Sequence, residues 1–193
     1  MITRSIRNGQ RIYLGRFKEE DLETISSWYH DDEYMRCMDA SPSFPLLARD
    51  FKEWVEQKPK EHKSYLFAVR LKEDDRVLGW VDIDGILWPH RNAWLAIGIG
   101  ERDIWQQGIG YETMQLVLDF AYNELNLHRI QLSVFSYNKR AIKLYERLGF
   151  TYEGAQREFV FRDGEAHDML MYGLLRREWL ELNQKQDTKP IFE

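Results

Sequence analysis

Cysteine is nearly absent: Cys37 stands alone among 193 residues. One cysteine excludes a disulfide within the chain and any metal site built on cysteines. No His-containing signature surrounds it, so the thiol reads as buried or incidental. Long apolar runs are missing too, and no stretch approaches the length of a membrane span. The first residues, Met1-Ile2-Thr3-Arg4-Ser5-Ile6, lack the apolar segment of a signal peptide, so the expected location is cytoplasmic. A basic surplus is also absent. Lys and Arg total 27 against 32 Asp and Glu, a net charge of −5. That argues against bulk nucleic-acid binding. It is compatible with a cationic substrate, although solubility explains a modest negative charge equally well. Repeats and low-complexity linkers do not occur. Only the polar stretch from Gln184, which carries Pro190, reads as a loose tail, giving one domain over residues 1–183 and a tail over 184–193.

Apolar and aromatic residues are plentiful. Hydrophobic residues make up 44% of the chain and aromatics 14%, enough for one sizeable core. A short strand is predicted at Arg11-Ile12-Tyr13-Leu14. A helix is predicted over residues 20–30, where Leu22, Ile25, Trp28 and Tyr29 recur at helical spacing. After a break around Ser41-Pro42-Ser43-Phe44-Pro45, a second helix carries Leu47, Phe51, Trp54 and Val55. Residues 65–71, 77–87 and 92–100 read as three strands of an antiparallel meander. Asp82 and Asp84, two apart, share one face of their strand.

A strand–loop–helix unit follows. Its loop is Trp105-Gln106-Gln107-Gly108-Ile109-Gly110, and its helix shows Met114, Val117, Leu118, Ala121 and Leu125 in a 3.6-residue stripe. Next come a strand with Ile130, Leu132 and Val134, and a helix opening at Asn138, a good N-cap residue, and ending near Gly149. Asp163-Gly164 between Phe159-Val160-Phe161 and Met169-Leu170-Met171-Tyr172 signals a closing hairpin.

Two stretches carry chemistry. Glycines at a strand-to-helix turn let a diphosphate approach unpaired N–H groups at the positive end of a helix dipole. The N–H groups of Gln107, Gly108, Ile109, Gly110 and Tyr111 are therefore candidate phosphate donors. A turn-forming role for the glycines alone remains open. No Lys-Ser/Thr follows them, which excludes a P-loop. Thr113 stands where the dinucleotide fingerprint requires its third glycine. The second stretch is the helix after Asn138. Asn138 and Tyr145 are seven apart on one face, about 10 Å along the axis. The amide can pair with an amide-bearing arm, and the phenol can protonate a departing thiolate. An N-cap and a core aromatic are the alternative roles.

Together these segments resemble the GNAT (Gcn5-related) N-acetyltransferases, in the branch of ribosomal-protein N-terminal and spermidine acetyltransferases. The resemblance spans residues 10–179. It is carried by Gly98-Ile99-Gly100-Glu101-Arg102-Asp103-Ile104-Trp105-Gln106-Gln107-Gly108-Ile109-Gly110, by Leu127-His128-Arg129-Ile130-Gln131-Leu132, by residues 138–150, and by the hairpin Arg162-Asp163-Gly164-Glu165-Ala166-His167-Asp168. It implies an α/β fold with a mixed, mostly antiparallel sheet of about seven strands, flanked by helices and splayed between its fourth and fifth strands.

The resemblance implies acetyl-CoA as donor, with its pyrophosphate on residues 107–111 and its pantetheine arm along Ile97, Gly98 and Ile99. It further implies a CoA-contacting Asn138 and a thiolate-protonating Tyr145, with no metal. The implied partners are acetyl-CoA and an amine, namely a protein N-terminus, a polyamine or a small amine. No nucleic acid or membrane partner is expected, and a homodimer is allowed. Where many relatives carry a strand-four glutamate as general base, this chain has Trp94. Asp82 is the preferred substitute and Asp84 the next, with Glu101, His90 and His167 behind them. A non-catalytic acyl-CoA-binding module is the rival reading.

Overall fold

A computed structural model describes residues 7–57 and 64–187. The expected tail lies largely outside that range, and its first four residues form the last turn of a helix. Seven strands form one sheet: β1 (Ile12–Gly15), β2 (Tyr65–Leu71), β3 (Val77–Leu87), β4 (Asn92–Ile99), β5 (Arg129–Phe135), β6 (Thr151–Arg162) and β7 (Glu165–Leu175). Their order is β1-β2-β3-β4-β5-β7-β6. Every neighbouring pair is antiparallel except β4 and β5.

Among the described residues six α-helices flank the sheet: α1 (Asp21–Trp28), α2 (Asp32–Met38), α3 (Ala48–Gln57), α4 (Ile109–Asp119), α5 (Lys139–Arg147) and α6 (Arg176–Asp187). Helix α4 passes into a π-helical turn over Phe120–Glu124, so Leu125 lies beyond the helix that its spacing predicted. Side-chain alternation on the central strands separates two cores. Val81, Ile83, Leu95 and Ile130 pack with Met114, Leu118, Tyr145 and Trp179. Trp80 packs on the other face with Trp28, Tyr34 and Phe51.

The sequence pattern missed α2, whose seven residues are too short to display a helical stripe. Its start is nonetheless well defined. The Asp31 side chain accepts from the N–H groups of Glu33 (3.0 Å) and Tyr34 (3.3 Å), satisfying two donors of the first turn. Strand β6 is longer than predicted because its outer half is exposed on an edge and shows no alternation. Asp163 and Gly164 have φ of 55° and 82°, as a tight hairpin turn requires.

A buried ion pair ties α1 to the sheet. Arg70 Nη1 donates to Asp21 Oδ2 at 2.6 Å, with the side chains only 2% and 4% exposed. Arg70 also reaches Asp75 at 2.8 Å. Removing Asp21 takes away the buried half of this network and leaves Arg70 with Asp75 alone. Asp21→Ala is expected to lower unfolding stability by about 1.5–3 kcal/mol, read as a shift of the denaturant midpoint. An unchanged midpoint would contradict this role for the pair.

Candidate active site: a cleft where two strands part

Strands β4 and β5 pair over three rungs only: Asn92 with Arg129, Ala93 with Ile130 and Trp94 with Gln131. Beyond Trp94 each strand continues without the other. A parallel pair loses its ladder once the strands diverge, leaving backbone groups on the facing edges to seek other partners. Here the gap opens into a cavity of about 540 Å³. Its walls come from β4 (Trp94, Leu95, Ala96, Ile97, Ile99), β5 (Ser133, Val134, Phe135), the α4 entry and α5.

The α4 entry forms another part of the wall. Gly108 is the N-cap residue at φ 83° and offers no side-chain cap. The first three helical N–H groups, those of Ile109, Gly110 and Tyr111, therefore remain for an external acceptor. The Gln107 N–H already donates to the Ile104 carbonyl at 3.3 Å. The loop is held from behind by Arg11, which donates to the Gln107 carbonyl (2.7 Å) and pairs with Glu112 of α4 (3.1 Å). Gly108, Gly110 and Tyr111 lie on the cavity wall. Ile109 is buried in the core, and the Cα of Gly98 faces Tyr34 and Trp80.

Helix α5 supplies the facing wall. Asn138 caps it, its Oδ1 accepting from Ala141 N–H at 3.1 Å. Cap and cavity-lining residue are thus one and the same. Tyr145 is buried and also lines the cavity. Burial alone pushes its phenol well above the usual range, so the hydroxyl stays protonated at neutral pH. Arg140, Lys143 and Arg147 recur at i, i+3 and i+7 and also line the cavity. Arg140 lies over the Trp105 ring at 3.7 Å and Arg147 over Tyr111 at 4.4 Å. The sequence reading missed this cationic stripe, although its spacing was visible.

Strand β3 adds two carboxylates to the cavity lining, Asp82 and Asp84. In the β3–β4 register Asp82 stands opposite Ala96 and Asp84 opposite Trp94. Directly opposed side chains on one face lie about 5 Å apart at Cβ, so β3 places a carboxylate beside the indole of β4. Asp82 is buried, and Asp84 accepts from the Gly85 N–H at 2.5 Å.

The remaining base candidates lie elsewhere. Glu101 accepts from Trp28 Nε1 at 2.9 Å. His90 sits on the exposed turn after β3, and His167 packs edge-on against Tyr137 at 5.0 Å. Tyr34, Cys37 and Met38 of α2 and Met169 of β7 complete the cavity lining. Trp28, Tyr29 and Trp54 belong to the second core, and Phe44 is 71% exposed. Burial pushes the Cys37 thiol up, away from thiolate chemistry. Among the described residues no cluster of three metal-ligating side chains occurs, and no helix is long and apolar enough to cross a membrane.

The frame of the site is thus a mixed seven-stranded α/β sheet that splays beside an uncapped helix N-terminus. A family model for the acetyltransferase (GNAT) domain matches residues 11–151, and the chain belongs to this family of acetyl-CoA-dependent acetyltransferases. It is 30% identical over 176 residues to a prophage-derived uncharacterized N-acetyltransferase, YokL, of Bacillus subtilis, covering 91% of this chain and 95% of the relative. It is 29% identical over 171 residues to the uncharacterized N-acetyltransferase p20 of Bacillus licheniformis, covering 88% and 96%. The structure of spermidine N-acetyltransferase from Vibrio cholerae in complex with CoA and spermine has a similar fold. It superimposes with a TM-score of 0.79 at 24% identity, covering 89% of this chain and 99% of that one.

Proposed function

We propose that this acetyltransferase moves the acetyl group of acetyl-CoA directly to a primary amine that enters from the Asp82 side of the cleft. The observation that carries the reading is the mixed lining of one continuous cavity. Cations of α5 and the uncapped N-terminus of α4 line it together with two carboxylates of β3. A polyanionic nucleotide matches the first set and an ammonium the second.

In this reading Ile109, Gly110 and Tyr111 hold the pyrophosphate, with Gly108 giving the backbone its close approach. Gln107 shapes the turn. Ile97, Gly98 and Ile99 offer the strand edge that β5 leaves to the pantetheine arm, where the Ile99 carbonyl already accepts from Trp105 Nε1, and Asn138 meets that arm from α5. Tyr145 donates its proton to the leaving sulfur. Asp82 takes the proton of the attacking amine, since it stands on the acceptor face two residues from the Trp80–Gly98 rung.

Thiol release from acetyl-CoA across a panel of N-terminal peptides, polyamines and small amines tests the function. Release with none of them would sink it. Asp82→Asn tests the base. The expected result is a lower kcat and loss of the acidic limb of the rate profile. An increase in KM alone would make Asp82 a docking charge instead.

A further inference from the structure

Tyr34 belongs to the helix that the sequence pattern did not reveal, and it lines the cleft. It is only 3% exposed. Its oxygen accepts from the Trp80 indole N–H at 3.0 Å. Trp80 stands directly opposite Gly98 in the β3–β4 register. Both side chains lie over the Gly98 Cα. A methyl group there would fall 2.5 Å from the Tyr34 oxygen and 2.9 Å from Trp80 Nε1. Glycine at 98 is thus the condition for a phenol to sit against this strand.

The hydrogen-bond inventory fixes the polarity of that phenol. Indole nitrogen only donates, so the Trp80 contact uses a lone pair of Tyr34. The single hydroxyl proton is left to point away from the Trp80 nitrogen, and a ligand oxygen in the cleft can supply its acceptor. Burial pushes the Tyr34 phenol well above its ordinary range, so the proton is retained. The helix is anchored on the same side. Arg102, on the segment after β4, pairs with the capping Asp31 at 2.5 and 2.7 Å, and holds that carboxyl below its usual range.

We propose that the Tyr34 hydroxyl is the side-chain donor for the acetyl carbonyl oxygen, oriented by Trp80 and admitted by Gly98. This rests on the reading that the thioester lies along β4 near Gly98. The amine nitrogen forms a bond to the acetyl carbon, and the carbonyl π pair moves onto oxygen. Tyr34 meets that oxyanion with its O–H and keeps its proton. The carbonyl re-forms as the C–S bond breaks. Sulfur leaves with the bonding pair and takes a proton from Tyr145, and Asp82 removes the surplus proton from nitrogen. Tyr34 is thereby catalytic, and Trp80 a positioning residue.

The test is Tyr34→Phe in the full chain. It removes one oxygen and keeps the ring that packs against Tyr29 and Trp28. The expected result is a kcat about a hundredfold lower, with CoA affinity by calorimetry unchanged. The carbonyl stretch of bound carbon-13 acetyl-CoA should move back toward its value in water. Trp80→Phe should give a smaller loss in kcat with the same direction of spectral shift. An unchanged kcat, or a loss confined to KM, overturns the assignment. Should Tyr34→Phe not fold, the spectrum of the wild type decides, because a bound carbonyl stretch equal to the free value also overturns it. Failure of the wild type to bind CoA is a different outcome. It removes the underlying placement of the thioester rather than the role of Tyr34 alone.

Discussion

Replacing Gly110 by aspartate is expected to weaken CoA binding by on the order of a hundredfold or more while leaving the fold intact. Gly110 is the second residue of α4, beside the uncapped N-terminus. A Cβ at this position meets Leu144 Cδ2 at 3.5 Å, an ordinary contact, and its φ is not in the left-handed region. An acidic side chain in the first turn is itself favourable to the helix dipole. The damage therefore falls on the ligand. Two unit charges about 4 Å apart near a protein surface repel by about 4 kcal/mol, and each 1.4 kcal/mol is about tenfold in affinity. Gly110→Ala is the control, with the methyl but not the charge. Calorimetric titration reads both variants, and equal affinity in Gly110→Asp and wild type would remove the pyrophosphate from this site. Gly108 is less suitable, because at φ 83° any side chain strains the loop itself.

Tyr145→Phe carries the other large effect. The ring is held by Phe150 and Tyr172, at centroid distances of 5.9 and 6.5 Å, and these contacts survive loss of the hydroxyl. A general acid contributes roughly 10²–10⁴-fold, so kcat should fall by about that range with little change in the melting temperature. The sign of the pH dependence is fixed by burial, which raises the phenol above its ordinary value of 10.0. A general acid works in its protonated form. Loss of the Tyr145 proton should therefore depress the rate only above pH 10, and no alkaline limb near neutrality should belong to it. Wild-type kcat in the variant, with chemistry rate-limiting, would rule the role out.

The parts legible in the sequence were those with strong local rules. The glycine turn, the Asn138 cap and the Asp163-Gly164 hairpin each need particular residues at particular offsets. The meander showed in its apolar strands. Pattern failed where the local signal was short or where the surface was exposed. Helix α2 has seven residues, and β6 has an outer half with no buried face. The candidate base moved less than its surroundings: Asp82 and Asp84 face the cavity as the alternation requires, while Glu101, His90 and His167 lie outside its wall.

By itself, then, the sequence determined the family, the strand–turn–helix that presents bare N–H groups, and the helix bearing Asn138 and Tyr145, because each depends on neighbours within a few positions along the chain. Only the tertiary structure decided where β4 and β5 separate, since strand pairing ends at Trp94 through the divergence of segments more than thirty residues apart. It also decided that Tyr34 and Trp80 meet over Gly98. Those three residues come from a helix and two strands far apart in sequence, and no periodicity within any one segment records the others.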